Sequence, residues 1–295
     1  MPIETVAVVA PGDMGHAIAE VLRRNGLRVV TTLAGRGPDS VARANRAGMV
    51  ALVNLQAVVH EADIFLSILP PARAIDLAGE VAGCLKVARK SLLYADCNAV
   101  SPETVKAIGA VIAAAGGRFV DAGTIGLPPK PGGSGPRFYA SGPDAPALAE
   151  LGTYGLDIRV IGEEIGQASA LKMCFAAMSK GVTALATEAL TAAQLLGVAA
   201  PLRGEMAATV PGLLDYANRA VPAMPPKAYR WVGEMEEIAQ TFAAVGLPPG
   251  MLQGAADVYR FVGESPLGRE RTEDRVQGKT LEDAVAGLAK TLGKR

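Results

Sequence analysis

Thr5-Val6-Ala7-Val8-Val9-Ala10-Pro11-Gly12-Asp13-Met14-Gly15 is the stretch whose reading decides the fold. Residues 5–10 are a β-rich apolar run and read as the first strand. Pro11 and Gly12 break the run. From Met14 to Asn25 the apolar residues recur at helical spacing, and Gly26 ends that helix. Leu27 to Thr32 then reads as a second strand. A glycine turn between a strand and a helix places backbone N–H groups and a helix N-terminus where a dinucleotide pyrophosphate can meet them. Gly12 permits close approach of the phosphates, and Gly15 lets the helix pack on the strand. Asp13 and Met14 complete this candidate cofactor turn. Ala10 stands where the motif has its first glycine, which is tolerable if φ stays negative. The alternative reading is an α/β domain whose first turn simply needs glycine.

Working outward, further strands are read at Ile64 to Leu69, Ser91 to Ala95, Arg118 to Val120, Arg137 to Ala140 and Ile158 to Ile161. Helical segments separate most of the earlier ones, so strand alternates with helix and a mostly parallel sheet is predicted. From Glu164 to Leu196 the chain is rich in Ala, Leu, Met and Lys and free of proline. That reads as one long helix, with an interruption near Gly181 left open, apolar on nearly all sides and therefore buried. The remainder has helical periodicity broken by Pro/Gly clusters at 222–226 and 246–250. The expected fold class is α/β: a Rossmann domain over residues 1–162, then a long helix and an all-α domain over residues 163–295 for substrate and dimerisation. The stretch from Glu264 onward is the most charged and is expected to pack loosely at the surface.

Composition narrows the function classes. The 295 residues are 50% hydrophobic but only 4% aromatic, so the core rests on Ala, Val, Leu and Ile. With 29 basic and 29 acidic residues the formal charge is zero, which gives no electrostatic case for nucleic acid or an anionic membrane. The three cysteines, Cys84, Cys97 and Cys174, have no metal-ligand spacing and read as reduced thiols. His16 and His60 cannot build a metal site alone and read as structural or surface residues. No metal is expected. No signal peptide pattern opens the chain, and no apolar run reaches the roughly 18 residues of a membrane span. A cytoplasmic location is the default expectation.

The end of the second strand bears on the choice of cofactor. An NAD site places a carboxylate there for the ribose 2′-OH. Here the residues are Thr31-Thr32-Leu33-Ala34-Gly35-Arg36-Gly37-Pro38-Asp39-Ser40, followed by Arg43. Arg36, Ser40 and Arg43 suit a 2′-phosphate, so NADP is expected over NAD. Asp39, late in the loop, leaves the carboxylate role open.

Several segments together resemble the β-hydroxyacid dehydrogenase superfamily, which includes 6-phosphogluconate and 3-hydroxyisobutyrate dehydrogenases. They are the glycine turn, Ser67-Ile68-Leu69-Pro70-Pro71, Asp96-Cys97-Asn98-Ala99-Val100-Ser101-Pro102, Asp121-Ala122-Gly123-Thr124-Ile125-Gly126 and the run from Gly162 to Lys172. The second half, with Lys172-Met173-Cys174-Phe175 and the segment from Arg230 to Glu237, resembles the branch with a phosphogluconate dehydrogenase C-terminal-like domain. The resemblance implies hydride transfer with a nicotinamide cofactor and Lys172 as general acid/base. The chemistry agrees: reducing a carbonyl leaves charge on oxygen, which an ammonium stabilises and protonates. The bland alternative is a snorkelling surface lysine. Leu69 and Pro70, at the carboxyl edge of the sheet, are expected beside the nicotinamide or its ribose. Asn98 is read as a partner of that ribose or of the substrate, or else as a turn former before Ser101-Pro102. Thr124 and Gly126 are the expected substrate-loop contacts.

The departures from the family pattern are informative. An asparagine usual one turn after the lysine is Ala176 here, and Lys180 follows one turn later, lining the pocket or lying at the helix surface. Ile125 and Leu127 replace a serine and a glycine of the substrate loop, which points to a substrate less polar than a sugar acid. Trp231 is the only tryptophan. It reads as a core anchor whose neighbours Glu234, Glu236 and Glu237 form a solvated face, or as a pocket wall with Glu234 facing the substrate. The all-round apolar helix suggests burial between subunits and a homodimer. The leading function is an NADP-dependent oxidoreductase acting on a small hydroxy acid or keto compound. The alternatives are reduction of a C=N bond, disfavoured by Lys172, and a non-catalytic dinucleotide sensor.

Overall fold

The computed structural model describes residues 3–129, 135–272 and 275–292. Two compact units divide inside one long helix: residues 1–173 and residues 174–295.

Among the described residues the first unit contains eight strands: β1 (Thr5–Val9), β2 (Arg28–Thr32), β3 (Val50–Leu52), β4 (Ile64–Ser67), β5 (Leu93–Asp96), β6 (Arg118–Ile125), β7 (Arg137–Ser141) and β8 (Asp157–Gly162). They form one sheet in the order β3-β2-β1-β4-β5-β6-β7-β8. The first six positions reproduce the Rossmann order 3-2-1-4-5-6. All neighbours are parallel except β6 and β7. The helices are α1 (Asp13–Arg24), α2 (Pro38–Arg46), α3 (Leu55–Glu61), α4 (Ala74–Ala88), α5 (Pro102–Ala114) and α6 (Ala145–Ala149). Two apolar clusters cover the two faces of the sheet, as a parallel sheet requires. Val6, Val8, Ile18, Leu22 and Leu66 belong to one, and Val9, Phe65, Val81, Tyr94 and Ile108 to the other. Strand order reverses between β1 and β4, and their carboxyl ends open the crevice in which ligands of such sheets bind.

The long helix α7 runs from Gln167 to Leu195 without interruption at Gly181. It is followed by α8 (Ala199–Thr209), α9 (Pro211–Ala223), α10 (Ala228–Ala244), α11 (Gly250–Glu264) and α12 (Leu281–Leu292). Two expectations need correction. Within a single chain the helix α7 is not buried all round: Phe175, Met178, Leu185 and Leu196, at its end, are 52–76% exposed, while Ala176, Thr183, Ala184, Thr187 and Leu190 are buried. Its inner face is built mostly from small residues and threonines, with Met173 and Leu190 as its large members, and the Thr187 hydroxyl is satisfied by donating to Thr183 O four residues back at 2.7 Å. Nor does the charged C-terminal stretch pack loosely. Ser265 and Leu267 are buried, and α12 lies against α9 through a stripe comprising Leu281, Ala284, Val285, Leu288 and Ala289. An apolar stripe at helical spacing outweighs the charge around it. Residues 273–274 and 293–295 of that stretch lie outside the described residues. Among the described residues no helix is long and apolar enough to cross a membrane.

Candidate active site

The glycine turn has the geometry of a phosphate cradle. A Cβ on Gly15 would lie 2.0 Å from Ala10 O, so only glycine lets α1 come this close to the strand. A Cβ on Gly12 would meet nothing within 4 Å, which leaves space facing the helix N-terminus. Gly12 is the N-cap residue of α1, and no side chain caps that end. Its first N–H groups are thus available to an anion. Ala10 does not adopt a positive φ, so its methyl is accommodated. Asp13 opens the helix and pairs with Arg43 of α2 at 2.9 Å. Arg43, expected at a 2′-phosphate, is in fact engaged in tying α2 to α1. Met14 is half-buried beside the turn. His16 donates from Nδ1 to Gly12 O at 2.7 Å, a structural role.

Beyond β2, a turn closed by the Arg36 N–H donating to Leu33 O at 3.0 Å presents Arg36 to solvent. Gly35 takes φ +70° in that turn, a conformation that favours glycine. Ser40 lies in the first turn of α2, and Asp39 is exposed beside it.

The carboxyl ends of β1 and β4 stay zipped past the strands. The Ala10 N–H donates to Ile68 O at 3.0 Å and the Ile68 N–H to Val9 O at 2.6 Å. Half-buried Leu69 and exposed Pro70 follow at the switch point, where the cofactor's reactive end is expected. Four polar residues then occupy one line across the sheet. In register, Ser67 pairs with Asp96, Asp96 with Asp121, and Asp121 with Ser141.

Each of these residues is used. Asp121 sits beneath the start of α7 and accepts from Gly166 N at 2.9 Å, Ser169 N at 3.0 Å, Ser169 Oγ at 2.7 Å and Ser141 Oγ at 3.2 Å. It anchors the helix N-terminus, a contact class worth about 1 kcal/mol or more. Burial pushes its carboxyl upward, and the bonds from Ser169, Gly166 and Ser141 oppose that rise. Gly123 completes the approach, because a Cβ there would lie 2.6 Å from Ala168 O. Asn98, buried, accepts from Leu69 N at 2.6 Å and donates from Nδ2 to Ser67 Oγ at 2.9 Å and to Asp96 Oδ2 at 2.8 Å. Both amide hydrogens are therefore spent on the protein itself.

Lys172 faces this arrangement. Its ammonium donates to Asn98 O at 3.0 Å and to Cys97 O at 3.5 Å. The Thr124 hydroxyl donates to the same Cys97 carbonyl at 3.3 Å. The lysine is half-buried at the sheet's carboxyl edge and is not snorkelling into solvent. Gly126 follows in an exposed turn with φ +128°. The structure thus brings Lys172, Thr124, Asn98 and the Leu69 loop together. Cys97 itself is buried, its thiol pushed upward by burial and by Asp96, and suits no nucleophilic role.

Comparison with known proteins agrees with this geometry. Residues 5–144 match a model described as the NAD binding domain of 6-phosphogluconate dehydrogenase. Residues 193–262 match a domain of unknown function, DUF1932. A solved conserved protein, described as structurally similar to 3-hydroxyacid dehydrogenases, is 31% identical, covering 88% of this chain and 97% of its own, with a TM-score of 0.68. The chain belongs to the 3-hydroxyisobutyrate and 6-phosphogluconate dehydrogenase-like superfamily. This is a superfamily of nicotinamide-dependent dehydrogenases. A conserved hypothetical protein from Sinorhizobium meliloti is 27% identical over 98% of this chain and 97% of its own, with a TM-score of 0.71. At lower identity the fold alone is shared. A Mycobacterium tuberculosis 3-hydroxyisobutyrate dehydrogenase is 20% identical over 98% of this chain and 99% of its own (TM-score 0.68), and a Streptomyces aurantiacus imine reductase is 18% identical over the same shares (TM-score 0.56).

In this dehydrogenase-like chain the second unit holds its own polar cluster. Lys180 pairs with Glu234 at 2.8 Å, with side chains only 16% and 19% exposed, and its ammonium lies 5.3 Å from the Trp231 ring centroid. The ring of Trp231 meets Tyr259 edge-on, and the Tyr259 hydroxyl donates to Lys180 O. Lys180 is therefore neither a bare surface lysine nor an unpaired cation. Glu234 does not belong to a solvated face, whereas exposed Glu236 does and pairs with Arg260. Sequence reading had passed over Ser67, Asp96, Asp121, Ser141 and Ser169 as functional residues. The available signal was a polar residue closing an apolar strand, which covers Ser67, Asp96 and Ser141 but not Asp121, inside β6, or Ser169, on α7.

Proposed function

We propose that this chain is an NADP-dependent oxidoreductase that moves a hydride between the nicotinamide and a small hydroxy acid or keto compound, with Lys172 as general acid/base. The observation that carries the reading is the Lys172 ammonium held on the Asn98 and Cys97 carbonyls, at the carboxyl edge of a dinucleotide-binding sheet. Gly12, Gly15 and the uncapped α1 terminus would hold the pyrophosphate, and Leu69 and Pro70 would flank the reactive ring. The bound nicotinamide supplies or accepts the hydride. In the reductive direction Lys172 gives its proton to the oxygen as charge develops there. In the oxidative direction the neutral amine takes the hydroxyl proton. Thr124 and Gly126 would orient the substrate. Asn98, its amide committed to the protein, holds the loop in place.

Preference for NADP is supported by the lack of a carboxylate at the end of β2, by exposed Arg36 and by Ser40 at the start of α2. Half-buried Ile125 and exposed Leu127 support a substrate less polar than a sugar acid. The second copy proposed to cover α7 is supported by the exposed apolar seam of that helix.

NADPH and NADH consumption should be followed over a panel of keto acids, aldehydes, sugar acids and cyclic imines, with native protein and Arg36→Ala. Turnover of keto acids with NADPH preferred, and that preference reduced in the variant, is the expected result. Turnover of cyclic imines alone would move the chain to C=N reduction. NADPH binding without turnover of any kind would make it a sensor. Equal use of both cofactors in both proteins would remove Arg36 from the account.

A further inference from the structure

We propose that Asp96 is a positioning residue for Lys172, acting through Asn98; the inference rests on Lys172 being the acid/base group. The contacts form a chain from Asp96 to the ammonium. Asp96 closes β5 and is 1% exposed. Its two oxygens divide the work: Oδ1 accepts from the Asn98 backbone N–H at 3.0 Å, and Oδ2 accepts from Asn98 Nδ2 at 2.8 Å. These bonds fix both the backbone and the amide of residue 98. The same residue then offers its carbonyl to Lys172 at 3.0 Å, and its Oδ1 to Leu69 N at 2.6 Å. One side chain therefore sets the lysine and the loop that faces the nicotinamide at once. Orientation of this kind is worth large factors, since a misplacement of about 1 Å can cost about 100-fold in rate.

A carboxylate is required here because Asn98 presents donors to both of its oxygens. Protonated, one oxygen becomes a donor itself and opposes Asn98. Burial pushes Asp96 up to about 7. The charged and titratable groups that bear on it are Asp121 from β6, which raises it, and Lys172 from α7, which lowers it. Tyr94 within β5 and Cys97 after it are also electrostatically coupled to it. The clamp is complete above that pH and loosens as pH falls through it.

Swapping the two side chains separates positioning from packing. In Asp96→Asn an amide N–H₂ must face a donor, so one bond is lost with little change of volume. In Asn98→Asp two carboxylates face each other. The double variant Asp96→Asn/Asn98→Asp restores the pattern: Asn at 96 accepts from the backbone N–H and donates to Asp at 98, which still accepts from Leu69 N. Each single variant is expected to lose up to about 100-fold in kcat, with dinucleotide Kd much less affected. The double variant is expected to regain about 10-fold over either, within the range of coupled neighbours. Wild-type kcat should fall as pH drops through about 7, and Asp96→Asn should lack that limb. If Asp96→Asn fails to fold, Ser67→Ala, which removes another partner of the same amide, carries the test, with a lowered kcat expected.

Wild-type kcat and an unchanged acid limb in Asp96→Asn, or no recovery in the double variant, would overturn the positioning role if Lys172→Met is inactive. Near-native turnover in Lys172→Met would instead overturn the underlying reading of the lysine.

Discussion

Two glycines three residues apart have opposite physical reasons to be glycine, and they separate folding from binding. Gly15→Ala would put a methyl 2.0 Å from Ala10 O, which the backbone must move to relieve. Overpacking of this kind costs about 1–3 kcal/mol, and thermal unfolding should show it with or without dinucleotide. Gly12→Ala meets open space. It should unfold like the native protein while its dinucleotide Kd, measured by NADPH fluorescence, weakens. A Gly12→Ala variant that binds normally would remove the cradle from this turn. At this scale the sequence disclosed much of the candidate site but not its wiring. Lys172, Thr124 and Asn98 stand in quoted motifs, and the structure brings them together. The direction of Asn98, inward onto Ser67, Asp96 and Leu69, was hidden, because it depends on the register of β4 and β5. The same holds for Asp121, whose four donors come from segments 20 to 48 residues away. Lys180 was ambiguous for the same reason: nothing in the local sequence names Glu234 as its partner.

Among the elements, strands with both faces buried were the most legible. Val6 to Val9 and Ile64 to Leu66 are continuous apolar runs and became the central pair β1 and β4. The three-residue β3 went unread, since two of its residues are exposed and its sequence, Val50-Ala51-Leu52, carries no pattern long enough to read. The helix α7 was legible in extent but not in environment. Its apolar residues serve two different surfaces, the inner one filled mostly by small residues with Met173 and Leu190, and the outer one carrying most of the large ones. The sequence of α12 shows the reverse difficulty, because its charges drew attention away from an apolar stripe at 281, 284, 285 and 288. Composition reports average polarity, whereas packing depends on spacing.

For the whole molecule, the outer face of α7 carries the open question of assembly. Residues 171, 175, 178, 182, 185, 189, 192 and 196 follow a 4-3 spacing and are all apolar; seven are exposed, and Val182 is half-buried. A 3.5-residue repeat of this kind is a seam for another helix. We propose that a second copy of the chain supplies it, in a closed two-fold contact. Light scattering at micromolar concentration should find a dimer, and Met178→Glu should yield a folded monomer. A native monomer at that concentration would contradict the assembly but leave the chemistry untouched. The chemistry proposed for the chain concentrates in the first unit, where the glycine turn and Lys172 belong to one sheet edge. Its most direct test is single-site: kcat of Lys172→Met, on whichever substrate the panel identifies, together with the Kd for NADPH. The account predicts a fall in kcat of at least about 100-fold, the scale of general acid/base catalysis, with the Kd held. A variant that binds NADPH and turns over at the native rate would contradict it.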